Sequence, residues 1–118
     1  MDDKQLELEP GEAVKFDYSK PRWDLLPFDA LEEIVKVLSH GAIKYGDRNW
    51  ESGFRWGRIY GSLMRHLCAW FRGEDNDLET GLSHLSHAGC NVLFLITFAL
   101  RKLGSDDRSK NINYEKVN

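Results

Sequence analysis

The 118-residue chain has only two cysteines, Cys68 and Cys90, with no CxxC spacing between them. That spacing argues against a sulfur-bound zinc site. Both fall in apolar segments of helical pattern and read as buried, reduced thiols of a reducing cytoplasm. Long hydrophobic runs are also missing. The longest, "VLFLITFAL", covers about half a bilayer and reads as a buried helix, so no membrane partner is expected. The opening "MDDKQLELEPGE" has no apolar core of a signal peptide, which argues against secretion and for the cytoplasm. Positive charge is not in excess: the net charge is -3, which excludes the global basic field that a nucleic acid polymer would need. A phosphate ligand must therefore be met by local cations or by a metal. No Gly-rich phosphate loop, GxSxG elbow, C2H2 spacing or His-Asp dipeptide occurs. Repeats, low-complexity tracts and strand patterns are absent as well.

What is present is helical, within a single domain. Residues 1–14 are charged and aperiodic and are expected to form a flexible lead-in. The stretch "VKFDYSKPRWDLLPFDA" mixes aromatic and charged residues with Pro21 and Pro27, and reads as an extended arm packed against the domain. From Pro27, "PFDALEEIVKVLSHGAIKYG" predicts a first helix. Leu31, Ile34, Leu38, Ala42 and Tyr45 form its apolar stripe, Asp29, Glu32 and Glu33 sit near its positive end, and Gly46 stops it. A second helix is predicted from Trp56 to Arg72, with Ile59, Leu63, Leu67 and Phe71 facing the core. A third runs from about Leu82 to Leu103, apolar nearly all round from Val92 to Leu100. Such a helix needs cover on several sides, so the expected fold is all-α: three main helices behind an extended arm, completed by oligomerisation as a homodimer or homotetramer. The folded domain is placed at residues 15–103 and a loose polar tail at 104–118.

The candidate chemistry gathers in "GEDNDLETGLSHLSHAGCN", residues 73–91. His84, His87 and Asn91 recur at i, i+3 and i+7 and share one face of the third helix. Glu74, Asp75, Asp77 and Glu79 precede them, and His66 on the second helix can face them if the two helices are antiparallel. Imidazole, carboxylate and amide oxygen are ligands for a catalytic divalent cation. The expected ligands are His66, Asp77, His84, His87 and Asn91, with Glu74, Asp75 and His87 as catalytic groups that orient water. The competing reading makes Glu79 a helix cap and Asn91 a cross-link between helices. Among the cations, Lys44, Arg48 and Arg65 are placed on phosphate. Arg65 is expected to be half-buried and to need an anionic partner. Trp50 is a candidate stacking surface for a base, although core packing accounts for it equally well.

The phrases "AIKYGDRNW", "RHLCAWFRGED" and "HLSHAGCNVLFL" resemble the phage-type dATP/dGTP diphosphohydrolase family and, more distantly, MazG-like all-α nucleotide pyrophosphohydrolases. The resemblance spans roughly residues 15–102. It implies hydrolysis of a purine deoxynucleoside triphosphate to monophosphate and pyrophosphate in phage nucleotide-pool metabolism. It also implies a divalent metal, Mg2+, Mn2+ or Co2+. MazG-like chains hold their metal with ExxE on one helix and ExxD on the next. Here Asn91 stands at the aspartate position and Ala88 three residues before it, and the second helix has no ExxE. Either the ligand set is rebuilt from histidine and loop carboxylates, or the chain is a non-catalytic nucleotide-binding or assembly module on the same scaffold. A phosphohydrolase acting on a different or modified nucleotide also fits.

Overall fold

Pro27 sits in extended backbone and opens α1, Phe28–Tyr45, where its missing amide hydrogen costs nothing. Gly46 ends that helix at a φ of 95°, with its N–H donating to the Ala42 carbonyl. After a short 3-10 turn, Asn49–Ser52, α2 runs Trp56–Phe71 and α3 runs His84–Arg101. The computed structural model describes residues 7–110; residues 1–6 and 111–118 lie outside the described residues, and with them those parts of the expected lead-in and tail. The fold is all-α: among the described residues there are two isolated bridges and no strand.

α3 packs against both α1 and α2. The start of α2 meets the end of α3, where Trp56 Nε1 donates to the Leu103 carbonyl at 3.0 Å. Its far end carries His66 to the start of α3, so the two helices are antiparallel, the condition under which His66 was expected to face His84. The core between them is small: Ile59, Ala88, Cys90 and Phe98 are buried. Trp50 reaches in from the 3-10 turn and stacks on Phe94, with ring centroids 4.6 Å apart. Full burial of a phenylalanine such as Phe98 contributes about 1.5–3 kcal/mol, so this cluster anchors the α2–α3 pair.

Three expectations need correction. The tail is not loose at its beginning: the Trp56 N–H donates to the Ser105 carbonyl, and the Asp107 carboxylate accepts the Gly57 N–H at 2.7 Å. α2 has no side-chain cap from its preceding residue Arg55, so Asp107 supplies the anion that its first amides lack. The contact demands glycine on both sides, because a Cβ on Gly53 would lie 2.6 Å from the Gly104 nitrogen. Next, the arm is extended but not packed down. Trp23 and Leu25, in a 3-10 turn, are 72% and 69% exposed. Finally, Tyr45 and Phe71 continue the helical spacing of their stripes yet stand exposed, because each helix outruns the surface that its stripe faces. Leu31, Ile34, Leu38 and Ala42 are half-buried as expected.

Candidate metal and nucleotide site

The loop from Arg72 to Ser83 is folded by its own hydrogen bonds. Gly73 takes a φ of 100° and turns the chain out of α2. The Asp77 N–H donates to the Leu82 carbonyl, and the Gly81 N–H returns to the Asp77 carbonyl at 2.7 Å. Asp77 Oδ2 then accepts the Thr80 N–H at 2.9 Å and the Thr80 hydroxyl at 3.1 Å, the local pattern that aspartate and threonine favour in turns. Ser83 caps α3 by accepting the Leu85 N–H, and the Asp75 carbonyl accepts the His84 N–H. The loop thus sets Asp77 against the first turn of α3.

His66 Nδ1 and His84 Nδ1 lie 2.8 Å apart and share a hydrogen bond, one donating and the other accepting. The His87 ring stacks on the His66 ring, with centroids 4.5 Å apart and planes 7° from parallel. Its Nε2 is 2.7 Å from Thr80 Oγ1. One ligand atom from each of His66, Asp77 and His84 falls within 4.8 Å of the others. His84 is buried, and its Nε2 is the one buried side-chain nitrogen or oxygen without a hydrogen-bond partner among the described residues. Glu74 Oε2 stands 3.4 Å from it, close enough for attraction but without hydrogen-bond geometry.

The electrostatics favour neutral imidazoles beside an ionised carboxylate. Burial pushes the His66 pKa down, and the His87 and His84 rings push it further. Burial likewise lowers His87, against the opposing pull of Asp77. For Asp77 burial raises the carboxyl pKa, but the two bonds from Thr80 and the nearby imidazoles outweigh it and hold the group below its ordinary value. Neutral imidazole and ionised carboxylate are the states in which these side chains ligate metal.

Beside the cluster opens a cleft of about 910 Å³ between the end of α1, the 3-10 turn, α2 and α3. Its size lies within the ordinary range for small-molecule sites. His66, Asp77, Thr80 and His87 form one wall, and Lys44, Arg48, Arg58 and Arg65 bring cations to the others. A family model described as dATP/dGTP diphosphohydrolase, N-terminal, matches residues 10–108, which takes in every one of these side chains. The chain belongs to that family. A relative named dATP/dGTP diphosphohydrolase, from Salmonella phage PMBT28, is 35% identical over 96 residues. The match takes in 81% of this chain but 33% of the relative, so the chain spans about a third of that protein's length. No solved structure matches.

Within this family member the expected site residues separate. His66, Asp77 and His84 come together, with His87 stacked beside them. Asn91 is one helical turn further on, where its amide donates to Ser62 Oγ at 3.2 Å and ties α3 to α2. That is the cross-linking role. Glu74 reaches the back of His84, and Asp75 contributes its backbone carbonyl; neither side chain lines the cleft. Lys44 pairs with Glu79 at the cleft rim. Arg48 adopts a φ of 55° and lies 3.9 Å from Glu51. Arg65 is exposed rather than half-buried, so solvent serves it where a buried guanidinium would need an anion. Trp50 lines the cleft, although one of its faces is already covered by Phe94. Cys90 is buried as expected, its thiol pushed up to about 11 by burial, whereas Cys68 is exposed. Sequence reasoning missed Thr80. The available signal was the D-x-x-T spacing of Asp77 and Thr80, which marks a side-chain-closed turn.

Proposed function

We propose that this chain hydrolyses purine deoxynucleoside triphosphates, dATP or dGTP, to the monophosphate and pyrophosphate with the help of a divalent cation. The supporting observation is the cluster of His66, Asp77 and His84 beside a cleft large enough for a nucleotide, whose lining includes Lys44, Arg48, Arg58 and Arg65. The donors fit a cation in kind, two imidazoles and one carboxylate. They fit in spacing too, since one ligand atom from each lies within 4.8 Å of the others, the two Nδ1 atoms being 2.8 Å apart. With both Nδ1 atoms given to an ion, each ring carries its proton on Nε2, and the buried Nε2 of His84 would gain Glu74 as its acceptor. Bound there, Mg2+, Mn2+ or Co2+ would supply Lewis-acid neutralisation of the crowded phosphate oxygens.

The remaining roles belong to protein groups. Lys44, Arg48 and Arg65 reach the cleft from three sides and would hold the oxygens of the phosphate chain. His87, on the wall beside the cluster, would orient a water and accept its proton as the water oxygen bonds the α-phosphorus. The bond from that phosphorus to the bridging oxygen breaks, and pyrophosphate leaves. The metal-held carboxylates of the MazG-like pattern are thus replaced by imidazoles and Asp77, while Asn91 at the former aspartate position holds the helices together. In the cytoplasm of an infected cell the activity would trim the dATP and dGTP pool. The exposed apolar side chains of the arm and of α3 support assembly as a homodimer or homotetramer.

The test is incubation of the chain with dGTP or dATP and each of the three metals. Monophosphate and pyrophosphate are the expected products. Release of intact triphosphate moves the chain to another reaction class, and no turnover of any nucleotide defeats the proposal. One observation favours a second reading, a nucleotide-binding module without catalysis: the cation cluster holds a single carboxylate. Calorimetry separates the two, because tight nucleotide binding without hydrolysis, unchanged in His87→Ala, would support the module.

A further inference from the structure

Thr80 Oγ1 stands among three polar atoms. It accepts the Leu82 N–H at 3.1 Å, and it lies 3.1 Å from Asp77 Oδ2 and 2.7 Å from His87 Nε2. A hydroxyl has one proton to give and two lone pairs with which to accept. If that proton went to His87, the hydroxyl oxygen and the carboxylate oxygen of Asp77 would face each other at 3.1 Å with no hydrogen between them. That is a contact between two negative ends. If the proton goes to Asp77, the bond is charge-assisted, the second lone pair of Thr80 is free for a proton on His87 Nε2, and every atom is satisfied. Only the second arrangement closes without a repulsive contact.

We infer that Thr80 is a positioning residue: it relays the Asp77 carboxylate to His87 and fixes that imidazole with its proton on Nε2 and its lone pair on Nδ1. The arrangement places a hydroxyl between the carboxylate and the histidine, where many hydrolytic sites join the two directly. The direct distance here, 4.0 Å from His87 Nε2 to Asp77 Oδ2, is too long for a hydrogen bond, so the threonine bridges a real gap. His66 braces the other side of the ring by parallel stacking. His87 is then held at one edge by Thr80 and on one face by His66, and its remaining nitrogen, Nδ1, has no partner among the described residues. That nitrogen is the one that can take a proton from water, so the inference deepens the hydrolase reading above and rests on it for its catalytic part. Asp77 can serve both purposes because Thr80 occupies only Oδ2; Oδ1 accepts nothing from the described residues.

The experiment has a part that needs no activity. Nitrogen-15 spectra of the metal-free chain, taken at mildly alkaline pH where the imidazoles are neutral, distinguish a protonated Nε2 from a protonated Nδ1. His87 should show the protonated Nε2 in the wild type and in Thr80→Ser, and a mixture or the opposite tautomer in Thr80→Val. With dGTP and manganese, Thr80→Val should lower kcat by about 10–100-fold, the usual scale for losing such an outer partner, with KM changed less than threefold or so. Thr80→Ser should recover most of kcat. A protonated Nδ1 on His87 in the wild type overturns the inference without recourse to any variant. So does a folded Thr80→Val that keeps the wild-type tautomer or kcat. If the wild type turns over no nucleotide, the hydrolase reading falls on its own, and the spectra still decide the hydrogen-bond relay.

Discussion

The two ends of the α2–α3 pair are built on opposite terms. At the histidine end, the polar side chains are tied to one another within the chain: His66 with His84, His87 with Thr80, Thr80 with Asp77. The one buried side-chain nitrogen or oxygen left without a partner among the described residues, His84 Nε2, sits 3.4 Å from a carboxylate. At the other end, α3 carries Ile96 and Leu100 to the surface, half or more exposed. One end is tied together within the chain and the other is not. The difference separates what a single copy can organise, a polar site closed by short-range hydrogen bonds, from what needs further surface, an apolar face whose burial would stabilise by about 25 cal/mol per Å².

The largest effect expected from disturbing this contrast comes at the polar end. His84→Ala removes the buried imidazole that anchors the cluster. If the cluster holds the cation as proposed, the variant should lose the thermal stabilisation expected of manganese and lower turnover of dGTP by roughly a hundredfold or more, equivalent to about 3 kcal/mol of barrier. Melts with and without chelator check the first, and steady-state kinetics the second. A His84→Ala protein that binds manganese as tightly as wild type would remove the cluster from consideration as a metal site.

How much of this was legible beforehand depended on how local each cause was. The limits of α1 followed from Pro27 and Gly46, and the approach of His66 to His84 followed from the 3.6-residue period plus an antiparallel neighbour. Yet the stripe His84, His87, Asn91 is one face with three destinations. Each turn of α3 meets a different partner: His66 on α2, Thr80 in the loop and Ser62 on α2. Spacing tells that residues share a face but not what waits opposite. Among the loop carboxylates, composition made Glu74, Asp75, Asp77 and Glu79 equivalent. The turn that Thr80 closes selects Asp77, and that closure depends on backbone bonds from Asp77 to the Leu82 carbonyl and from Gly81 to the Asp77 carbonyl that no residue-type pattern encodes. The arginine at 65 was misread for a similar reason. A helix that looks aromatic-rich in sequence still has a wet side.

The next effect belongs to the apolar end. Ile96→Glu and Leu100→Glu replace exposed side chains, so in an isolated chain each should change stability by no more than about 0.5 kcal/mol. If copies cover that face, a charge there leaves an unpaired ion at an interface. The double variant should then shift the chain to monomer in light scattering, with manganese affinity at the other end unchanged. A variant that stays assembled takes α3 out of the interface. Loss of metal binding alongside assembly would show that the two ends are coupled, and the contrast drawn above would fail.

A smaller change is expected where the tail clasps α2. Asp107→Ala removes the carboxylate that accepts the Gly57 N–H, which should cost about 1 kcal/mol and lower the melting temperature by roughly 4 °C. Asp107→Asn, which keeps an oxygen acceptor, should recover most of it. Truncation before Ser105 should cost at least as much as Asp107→Ala; if it costs nothing, the clasp does not persist in solution.

The least effect on the fold, and the finest probe of it, comes from the two thiols. Cys68 is exposed on α2, while Cys90 is buried on α3 with its thiol raised to about 11. The thiolate is the reactive form, so below that value the labelling rate of Cys90 should climb about tenfold per pH unit, starting from a thiolate fraction of roughly a thousandth near pH 8. A thiol reagent should therefore modify one cysteine per chain quickly and the second only slowly, and unfolding should make the two alike. Cys90 lines the cleft wall between the histidines and the aromatic cluster, so it reports on the boundary between the two ends. Protection of Cys90 that survives Leu100→Glu would show that the α2–α3 seam holds without the apolar face being covered. Protection that vanishes would mean the polar site borrows its rigidity from the assembled end.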